Sequence, residues 1–366
     1  MNKGDEFYNL LLPIQIDSTM NSETMSSQLQ PLVNWLSRNT PAKLYRFFSG
    51  NERSIEQFKK DEIWGSRAST FNDPYECLPS FDMDRINNDL VKALDIESLK
   101  EFFEAVKNGY RLPQMAGIPD KLMQSILAFL NQPDFYEQLE SKFSFFRDQI
   151  ILWWQSICGE VIYKFFNLFN QSQRQQYITC FTENQNATLM WAHYANSHKG
   201  FCLEYNWGEI VAHTNNCLAE RKILLMPVKY SEKRFDASSY IFPIIQDWIK
   251  TKMNLDFELY FSDFLIYIKI LLTKSLDWSY ESEWRMFSSI PDAEPETDFR
   301  IQLIHRPTAV YLGAKMPQEK SDMIEQLCME KEIPCYKMLQ SYNDNRFVVE
   351  PELYSVIKER AGIHNP

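Results

Sequence analysis

Glycine is scarce in this chain, with 10 among 366 residues, and neither G-x-G-x-x-G nor G-x-x-x-x-G-K-[ST] occurs. Both patterns supply a glycine-rich loop that holds phosphate groups, so a site of that kind is not expected. The seven cysteines are widely spaced and include no C-x-x-C pair. We therefore expect reduced thiols, as in a cytoplasmic protein, and neither a disulfide framework nor a zinc site.

Positive charge is also in short supply, because 38 Lys and Arg face 49 Asp and Glu, which gives a formal net charge of −11. This balance argues against a general basic surface for nucleic acid or a membrane, although a local basic groove is compatible with it. The most apolar stretches, residues 150–158 and 259–272, are too short or too interrupted to span a bilayer. The N-terminus is acidic where a secretory signal is basic, so we expect a soluble, cytoplasmic protein with no membrane partner.

Hydrophobic residues make up 45% of the chain, enough for a large core, and their spacing changes along it. Between residues 84 and 173 apolar side chains recur at helical spacing, which predicts an all-helical insertion, and residues 236–276 are again helical in pattern. Short strand-like segments on either side of the insertion predict an α+β fold with a mixed or antiparallel sheet. We predict one domain over residues 41–340, with a polar N-terminal arm (1–40) and a polar C-terminal tail (341–366).

Strands are predicted where short apolar or alternating runs lie between turn residues. They fall at residues 44–48, 63–66, 177–182, 200–205, 224–230, 283–290, 299–305, 309–313 and 335–339. Short helices are predicted at residues 28–36, 54–60, 186–197 and 321–331. Ser54 is the expected N-cap of the helix at 54–60.

The strongest local signal is an acidic pair set among aromatic residues, in Trp278-Ser279-Tyr280-Glu281-Ser282-Glu283-Trp284-Arg285. On a strand or its entry loop, Glu281 and Glu283 point to the same face. Two carboxylates so close perturb each other's pKa and can share general-base work. The alternative is a solvated edge on which Arg285 forms an ordinary ion pair. The flanking tryptophans imply burial and favour a functional site.

A second cluster is the sequence Phe71-Asn72-Asp73-Pro74. Asn-Asp-Pro is first of all a turn whose Asx side chains cap their own backbone. The functional interpretation is that the turn presents Asn72 and Asp73 to a ligand hydroxyl or amide. Both interpretations stay open.

A third cluster lies on the helix predicted at 186–197, where His193 stands between Trp191 and Tyr194. A lone histidine on an apolar helix is more often a core residue than a site residue. No G-x-S-x-G sequence supports a hydrolase triad. We predict that the three clusters together form one polar site with aromatic walls.

The order of these motifs resembles a bacterial family known only as the domain of unknown function numbered twenty-nine seventy-one. The resemblance spans residues 44–313 outside the helical insertion, and the family name carries no activity. Its matching stretches are Leu44-Tyr45-Arg46, Phe71-Asn72-Asp73-Pro74-Tyr75-Glu76, Cys180-Phe181-Thr182, 189–195, 199–205, and Lys274 with 278–285.

A more distant resemblance is to the ADP-ribosyltransferase fold, which has a split sheet and three motifs. These are an Arg or His on a first strand, a Ser, Thr or Tyr on a later strand, and a Glu on a third. The matching residues here are Arg46, Thr182 and Glu283. The resemblance implies that Arg46 holds the pyrophosphate or ribose of NAD and that Thr182 supports the site. It further implies that Glu283 stabilises an oxocarbenium-like transition state while Glu281 orients the acceptor.

The same resemblance implies an NAD site whose walls come from the three clusters and the neighbouring strands, with no metal. Its expected cofactor-binding residues are Tyr45, Arg46, Phe71, Asn72, Asp73, Phe181, Trp191, His193, Tyr194, Trp284 and Arg285.

The leading hypothesis is an NAD-using ADP-ribosyltransferase or NAD glycohydrolase, and the family resemblance permits a role as a toxin or phage-defence effector. One alternative is a metal-dependent nuclease in which Asp73, Glu281 and Glu283 bind Mg²⁺. Another is a non-enzymatic nucleotide sensor or adaptor in a defence module, with a protein partner bound through residues 1–40 or the helical insertion. The acceptor of a transferred group stays open between protein, nucleic acid and water.

Overall fold

The computed structural model describes residues 2–108, 120–172, 176–210, 223–250, 263–289, 300–340 and 349–362. The strands are β1 (Lys43–Phe48), β2 (Glu62–Ser66), β3 (Gln176–Thr182), β4 (Phe201–Asn206), β5 (Ile223–Pro227), β6 (Lys229–Ser231), β7 (Thr273–Ser275), β8 (Glu283–Ser289), β9 (Arg300–Ile304), β10 (Ala309–Leu312), β11 (Cys335–Gln340) and β12 (Val349–Leu353). The α-helices are α1 (Lys3–Leu11), α2 (Ser22–Asn39), α3 (Glu52–Lys59), α4 (Met83–Ala93), α5 (Ile96–Lys107), α6 (Asp120–Leu130), α7 (Phe135–Ser172), α8 (Thr188–His193), α9 (Phe242–Lys250), α10 (Ile266–Leu271), α11 (Gln318–Glu330) and α12 (Tyr354–Ala361). Short 3₁₀ helices cover Ala68–Thr70, Ser238–Tyr240 and Leu276–Glu281.

Ten strands form one sheet in the order β12-β11-β10-β4-β1-β3-β2-β9, with β8 and β5 joined to it at β3. Within this sheet β10 and β11 are parallel, and the other described pairs are antiparallel. β6 and β7 form a separate parallel pair. The predicted α+β class with a mixed, mostly antiparallel sheet is therefore confirmed.

The sheet divides at β3. One edge of β3 pairs with β8 along its whole length, while the other edge pairs with β1 at Thr182 and with β2 at Ile178. β1 and β2 therefore diverge from the same edge of β3. Arg46 on β1 donates a hydrogen bond to the carbonyl oxygen of Trp64 on β2, over 2.9 Å, and so bridges the two diverging strands.

Both faces of β1 are covered, and successive residues of a strand point to opposite faces. Leu44 and Phe48 belong to the apolar cluster that contains Trp284 of β8. Tyr45 and Phe47 belong to a second cluster with Trp191 of α8 on the other face. Neighbouring residues of β1 therefore lie on opposite faces of the sheet and in different apolar clusters.

Helices α4 to α7 occupy the described residues between 84 and 173 and enclose an apolar core of their own. Trp153 and Trp154 on α7 are fully buried in it, because α7 is apolar on more than one face and is surrounded by other helices. α9 and α10 contribute Ile245 and Ile266 to the same core. The helical segment predicted at 236–276 is thus only partly helical. It also contains β7, and its residues 251–262 lie outside the described ranges.

Residues 1–40, predicted as a polar arm with a short helix at 28–36, contain two helices, α1 and the longer α2, over most of their length. Asn2 caps α1 by accepting a hydrogen bond from the backbone N–H of Asp5, over 2.8 Å. Phe7, Tyr8 and Leu11 are buried at helical spacing against the body of the protein. This short apolar stripe is diluted by polar neighbours in the sequence and escapes a composition-based prediction.

The predicted C-terminal tail is also partly ordered, because β12 extends the sheet and α12 packs beside it. A strand at the edge of a sheet exposes many of its side chains, and these are polar, so the sequence of β12 lacks the apolar pattern that predicts a strand. Residues 341–348 and 363–366 of the tail lie outside the described ranges.

Smaller corrections concern helix ends. The helix predicted at 186–197 ends at His193, and the three residues from Asn196 to His198 adopt left-handed backbone angles. The N-cap of α3 is Asn51 and not Ser54, whose backbone N–H donates to the Asn51 side chain over 2.9 Å. None of the described helices is both long and apolar enough to cross a membrane.

Candidate functional site

Glu281 and Glu283 are brought together by a tight turn. Glu281 ends the 3₁₀ helix Leu276–Glu281, and Glu283 is the first residue of β8. Between them Ser282 has a left-handed backbone with φ of 44°. Glu281 therefore lies in the segment that leads into β8, and the strand begins at Glu283 as predicted. The two carboxylates meet because both bind the same lysine.

Lys274, at the centre of β7, is that lysine. Its Nζ lies 2.5 Å from Oε2 of Glu281 and 2.9 Å from Oε2 of Glu283. Tyr230 stands opposite Lys274 on β6, and its hydroxyl oxygen accepts a hydrogen bond from the backbone N–H of Glu283 over 2.8 Å. The pairing of β6 with β7 thus fixes both groups beside the glutamates.

Arg285 and Glu76 complete the charged cluster. Arg285 lies two residues after Glu283 on β8, hence on the same face, and its Nε donates to Oε1 of Glu283 over 2.8 Å. Its other nitrogens donate to the carboxylate of Glu76 and to the carbonyl oxygen of Leu271. Glu76 also lies 3.6 Å from Nζ of Lys274. The side chains of this cluster are at most 6% exposed.

Tyr194, the residue directly after α8, joins the cluster because its hydroxyl donates to Oε1 of Glu281 over 2.7 Å. The two other residues singled out on this helix do not bind the carboxylates. Trp191 is fully buried against Phe47 and donates to the carbonyl oxygen of Gln185. His193 is exposed, with its ring 6.1 Å from that of Tyr280.

The cluster holds three carboxylates against two cations, so full ionisation would leave one uncompensated negative charge. Burial and the neighbouring Glu283 carboxylate raise the pKa of Glu281 to about 7. At neutral pH Glu281 is therefore divided between its protonated and ionised forms. Glu283, held by both Lys274 and Arg285, has the stronger electrostatic support for its negative charge.

The partners of the carboxylates keep their own protons. Burial opposes the charge of Lys274, but Glu283 and Glu281 outweigh it and raise the pKa of Lys274 above its ordinary value. Burial lowers the pKa of Arg285 to about 9, which still leaves it charged at neutral pH. Burial and Glu281 raise the pKa of the Tyr194 hydroxyl, so Tyr194 remains a hydrogen-bond donor.

Thr182 and Tyr45 lie in one row with Glu283 across three strands. Thr182 is opposite Glu283 on β3, and Tyr45 is opposite Thr182 on β1. The buried hydroxyl of Thr182 accepts a hydrogen bond from the backbone N–H of Asn184 over 3.1 Å. Thr182 thus stands beside Glu283 on the same face of the sheet, without a hydrogen bond to Glu283 among those described.

Arg46 lies outside the row that Tyr45, Thr182 and Glu283 form across the sheet. Since Tyr45 shares the face of Glu283, the next residue, Arg46, points to the opposite face. Its guanidinium lies 5.5 Å from the ring of Phe48, and it is committed to the carbonyl oxygen of Trp64. The expected arrangement of Arg46, Thr182 and Glu283 around one nucleotide is therefore corrected, because strand alternation separates Arg46 from the other two.

The remaining aromatic residues of the predicted site divide between the two faces. The ring of Phe71 lies 5.5 Å from the guanidinium carbon of Arg285 and covers the charged cluster. Phe181 and Trp284 are paired across β3 and β8 and point into the apolar core on the other face. Phe181 is therefore a core residue, whereas Trp284 also lines a cleft beside Glu283.

The turn that carries Glu76 accounts for the second predicted cluster. The carboxylate of Asp73 accepts a hydrogen bond from the backbone N–H of Tyr75 over 2.9 Å, which is an Asx turn. Asn72 is exposed. The turn thus delivers Glu76, and not Asn72 or Asp73, to the charged cluster. Glu76 and Lys274 were missed as site residues, although both belong to the matching family stretches.

Two clefts flank the cluster. The first, of about 200 Å³, is lined by Asp73, Tyr75, Leu78, Ser231, Glu232, Lys233, Arg234, Phe235, Thr273, Lys274 and Ser275. The second, of about 100 Å³, is lined by Asn2, Lys3, Gly4, Glu183, Pro227, Val228, Tyr230, Ser279, Ser282, Glu283 and Trp284. The cluster is therefore reached from the Lys274 side and from the Glu283 side.

The start of α1 forms one wall of the second cleft. Nζ of Lys3 lies 2.5 Å from the carboxylate of Glu183. A Cβ atom at Gly4 would lie 2.0 Å from the carbonyl oxygen of Val228, so only glycine allows this approach. The first helix of the chain therefore packs directly beside Glu283.

A metal site does not emerge from this geometry. Within the described ranges no group of three His, Cys, Asp or Glu side chains is placed to hold a metal ion. The position between Glu281 and Glu283 is taken by the ammonium group of Lys274.

Comparison with known proteins adds one finding. Residues 190–286 match the family described as "Protein of unknown function (DUF2971)". No curated protein and no solved structure matches the chain. The matched segment includes most of the charged cluster, namely Tyr194, Tyr230, Lys274, Glu281, Glu283 and Arg285. The match over residues 190–286 supports the resemblance to this family that the motifs in that segment predicted.

Proposed function

We propose that this site cleaves the N-glycosidic bond of NAD and passes the ADP-ribosyl group to water or to another acceptor. The observation that carries the proposal is the unequal pair of adjacent carboxylates. Glu283 is held by two cations, while the raised pKa of Glu281 leaves it able to gain or lose a proton near neutrality. Enzymes that act on glycosidic bonds rely on two carboxyl groups with such unlike roles.

The reaction uses each carboxylate for one task. The bond between C1′ of the ribose and the pyridinium nitrogen breaks, and that nitrogen keeps the electron pair, so nicotinamide leaves as a neutral molecule. The positive charge that develops on the ribosyl group is stabilised by Glu283. Water or an acceptor hydroxyl then bonds to C1′ and gives its proton to ionised Glu281.

The neighbouring groups support these roles. Lys274 holds both carboxylates in place and favours the negative charge of Glu283. The hydroxyl of Tyr194 fixes the orientation of Glu281 through Oε1. Because Lys274 occupies the position between Glu281 and Glu283, the same geometry favours this chemistry over metal-dependent nuclease activity.

The proposal predicts that the protein releases nicotinamide from NAD. Because Glu281 acts in its ionised form, the rate should increase as the pH rises through about 7 and then level off. The measurement is nicotinamide release by chromatography between pH 5.5 and 8.5. In Glu281→Gln this rise with pH should be lost, while Glu325→Gln, which changes a buried glutamate paired with Lys358 elsewhere, should behave as wild type.

Two results would count against the proposal. If the folded protein leaves NAD intact over the whole pH range and with candidate acceptors added, the proposed activity is lost. If NAD binds without turnover, the site is better described as a nucleotide sensor.

A further inference from the structure

A basic groove lies beside the charged cluster. A cleft of about 420 Å³ meets the first cleft along the segment 231–235 and Thr273. Its lining residues are Tyr8, Leu12, Gln15, Arg85, Lys229, Ser231, Lys233, Arg234, Phe235, Asp236, Ser239, Tyr240 and Thr273. We call the two joined clefts the basic groove. One end of the groove reaches Lys274, which carries Glu281 and Glu283.

Three cations in the groove are available to an anion. Among the described residues, no carboxylate lies within ion-pair distance of Lys229, Lys233 or Arg234. Nζ of Lys229 lies 4.5 Å from the centre of the Tyr8 ring, and Arg234 donates one hydrogen bond to the carbonyl oxygen of Pro79. Lys233 is exposed.

The acidic residues of the groove do not cancel this charge. Asp236 is committed to Arg85 at 3.0 Å and to the hydroxyl of Ser238. Asp73 accepts the hydrogen bond of its own turn. Glu232 is exposed and lines only the first cleft. Concentrated positive charge is unusual in a protein with a net charge of −11, so its place beside the cluster points to an anionic ligand.

The walls of the groove suit a nucleotide. Tyr75 is 67% exposed although it is a large aromatic residue, and the guanidinium of Arg234 lies 5.7 Å over its ring. Phe235 is a second, half-buried aromatic residue of the wall. Aromatic rings beside cations offer stacking for a base and charge for phosphate. A volume of about 420 Å³ matches a small-molecule site.

We propose that the basic groove binds the diphosphate of a nucleotide through Lys229, Lys233 and Arg234, with Tyr75 stacking on one of its rings. The choice of a dinucleotide such as NAD rests on the proposed function, whereas anion binding rests on the groove alone. The proposal gives these three residues the role that the sequence assigned to Arg46. With the diphosphate in the groove, the nicotinamide ribose of NAD extends toward Lys274, and so toward the two carboxylates that act at C1′.

The test is calorimetric binding of inorganic pyrophosphate and of ADP to the full-length protein at low ionic strength. The double variant Lys233→Gln with Arg234→Gln should weaken both ligands at least tenfold. Tyr75→Ala should weaken ADP and leave pyrophosphate unchanged. The matched control changes another basic pair, Lys59→Gln with Lys60→Gln, which lines neither cleft and should have no effect.

The proposal is overturned if wild type binds neither probe, or if the Lys233 and Arg234 double variant binds both as wild type does. Tighter binding of a single-stranded oligonucleotide than of ADP would identify the groove as a nucleic-acid surface and would also overturn it. Binding of ADP without any cleavage of NAD would keep the groove and reject the proposed chemistry. If the Lys233 and Arg234 double variant cleaves NAD as wild type does, the proposed chemistry is kept and the role of the groove is rejected.

Discussion

Glu283→Gln is expected to lower the rate constant of nicotinamide release by about 10²–10³-fold, because it removes the charge that stabilises the ribosyl cation. Glutamine has the same shape as glutamate and can still accept a hydrogen bond from Arg285. Lys274 keeps Glu281 as a partner, and Arg285 keeps Glu76. The variant should therefore fold. The measurement is single-turnover nicotinamide release at pH 8, where Glu281 is ionised.

Glu325→Gln provides the control, because it neutralises a buried glutamate that pairs with Lys358 away from the site. Its rate constant should stay within about twofold of wild type. If the Glu283→Gln variant folds and keeps the wild-type rate constant, Glu283 does not take part in the reaction. An equal loss in both variants would show that the effect comes from stability and not from the site.

Lys274→Met is expected to lower the free energy of unfolding by about 3–5 kcal/mol, since it leaves buried carboxylates without their shared cation. Only Arg285 would then oppose the charges of Glu76 and Glu283, and Glu281 would keep Tyr194 alone. The measurement is urea unfolding of wild type and variant. Lys43→Met is the matched control. Lys43 pairs with Glu204 but its side chain is 64% exposed, so this substitution should lower the free energy of unfolding by less than about 1 kcal/mol.

The loss caused by Lys274→Met should depend on pH in a defined direction. Burial and Glu283 raise the pKa of Glu281 in the folded protein, and Lys274 opposes this rise, so without Lys274 that pKa lies still further above its value in the unfolded chain. A carboxyl group with a raised folded-state pKa contributes least stability when the pH is high. The difference from wild type should therefore grow between pH 5 and pH 8. A loss below about 1 kcal/mol at pH 8 would contradict a desolvated, lysine-centred cluster.

The sequence predicted the acidic part of the site because the residues lie close together in the chain. Glu281, Glu283 and Arg285 fall within five residues, and the aromatic residues around them indicated burial. Tyr194 was placed in the site by the order of motifs. Glu76 and Lys274 could not be paired with these residues, because the contacts depend on how the turn 71–77 and β7 meet β8 in space.

The failure with Arg46 has a simple physical origin. Neighbouring strand residues point to opposite faces, so assigning Arg46 or Tyr45 to the site requires the register of β1 against β3. Hydrophobic alternation could not decide this, since both faces of β1 are buried. The left-handed backbone at Ser282 could not be predicted either, because positive φ is common for glycine but rare for serine.

The fold itself was predicted best where patterns are local and strong. Helices α4 to α7 and strands β8, β10 and β11 follow from periodicity and alternation. Helix α1 and strand β12 were not found, because each buries only one narrow row of side chains. Tertiary packing decides the structure of such segments.

The unequal carboxylate pair is tested most directly by the titration of Glu281 itself. Glutamate side chains labelled with ¹³C at the carboxyl carbon would be followed by NMR from pH 4 to pH 9, with Glu281→Gln to assign the resonance. We expect one carboxyl group that titrates at about pH 7 in wild type and is missing in the variant. If Glu281 titrates below about pH 5, as an ordinary glutamate does, the unequal carboxylate pair does not exist.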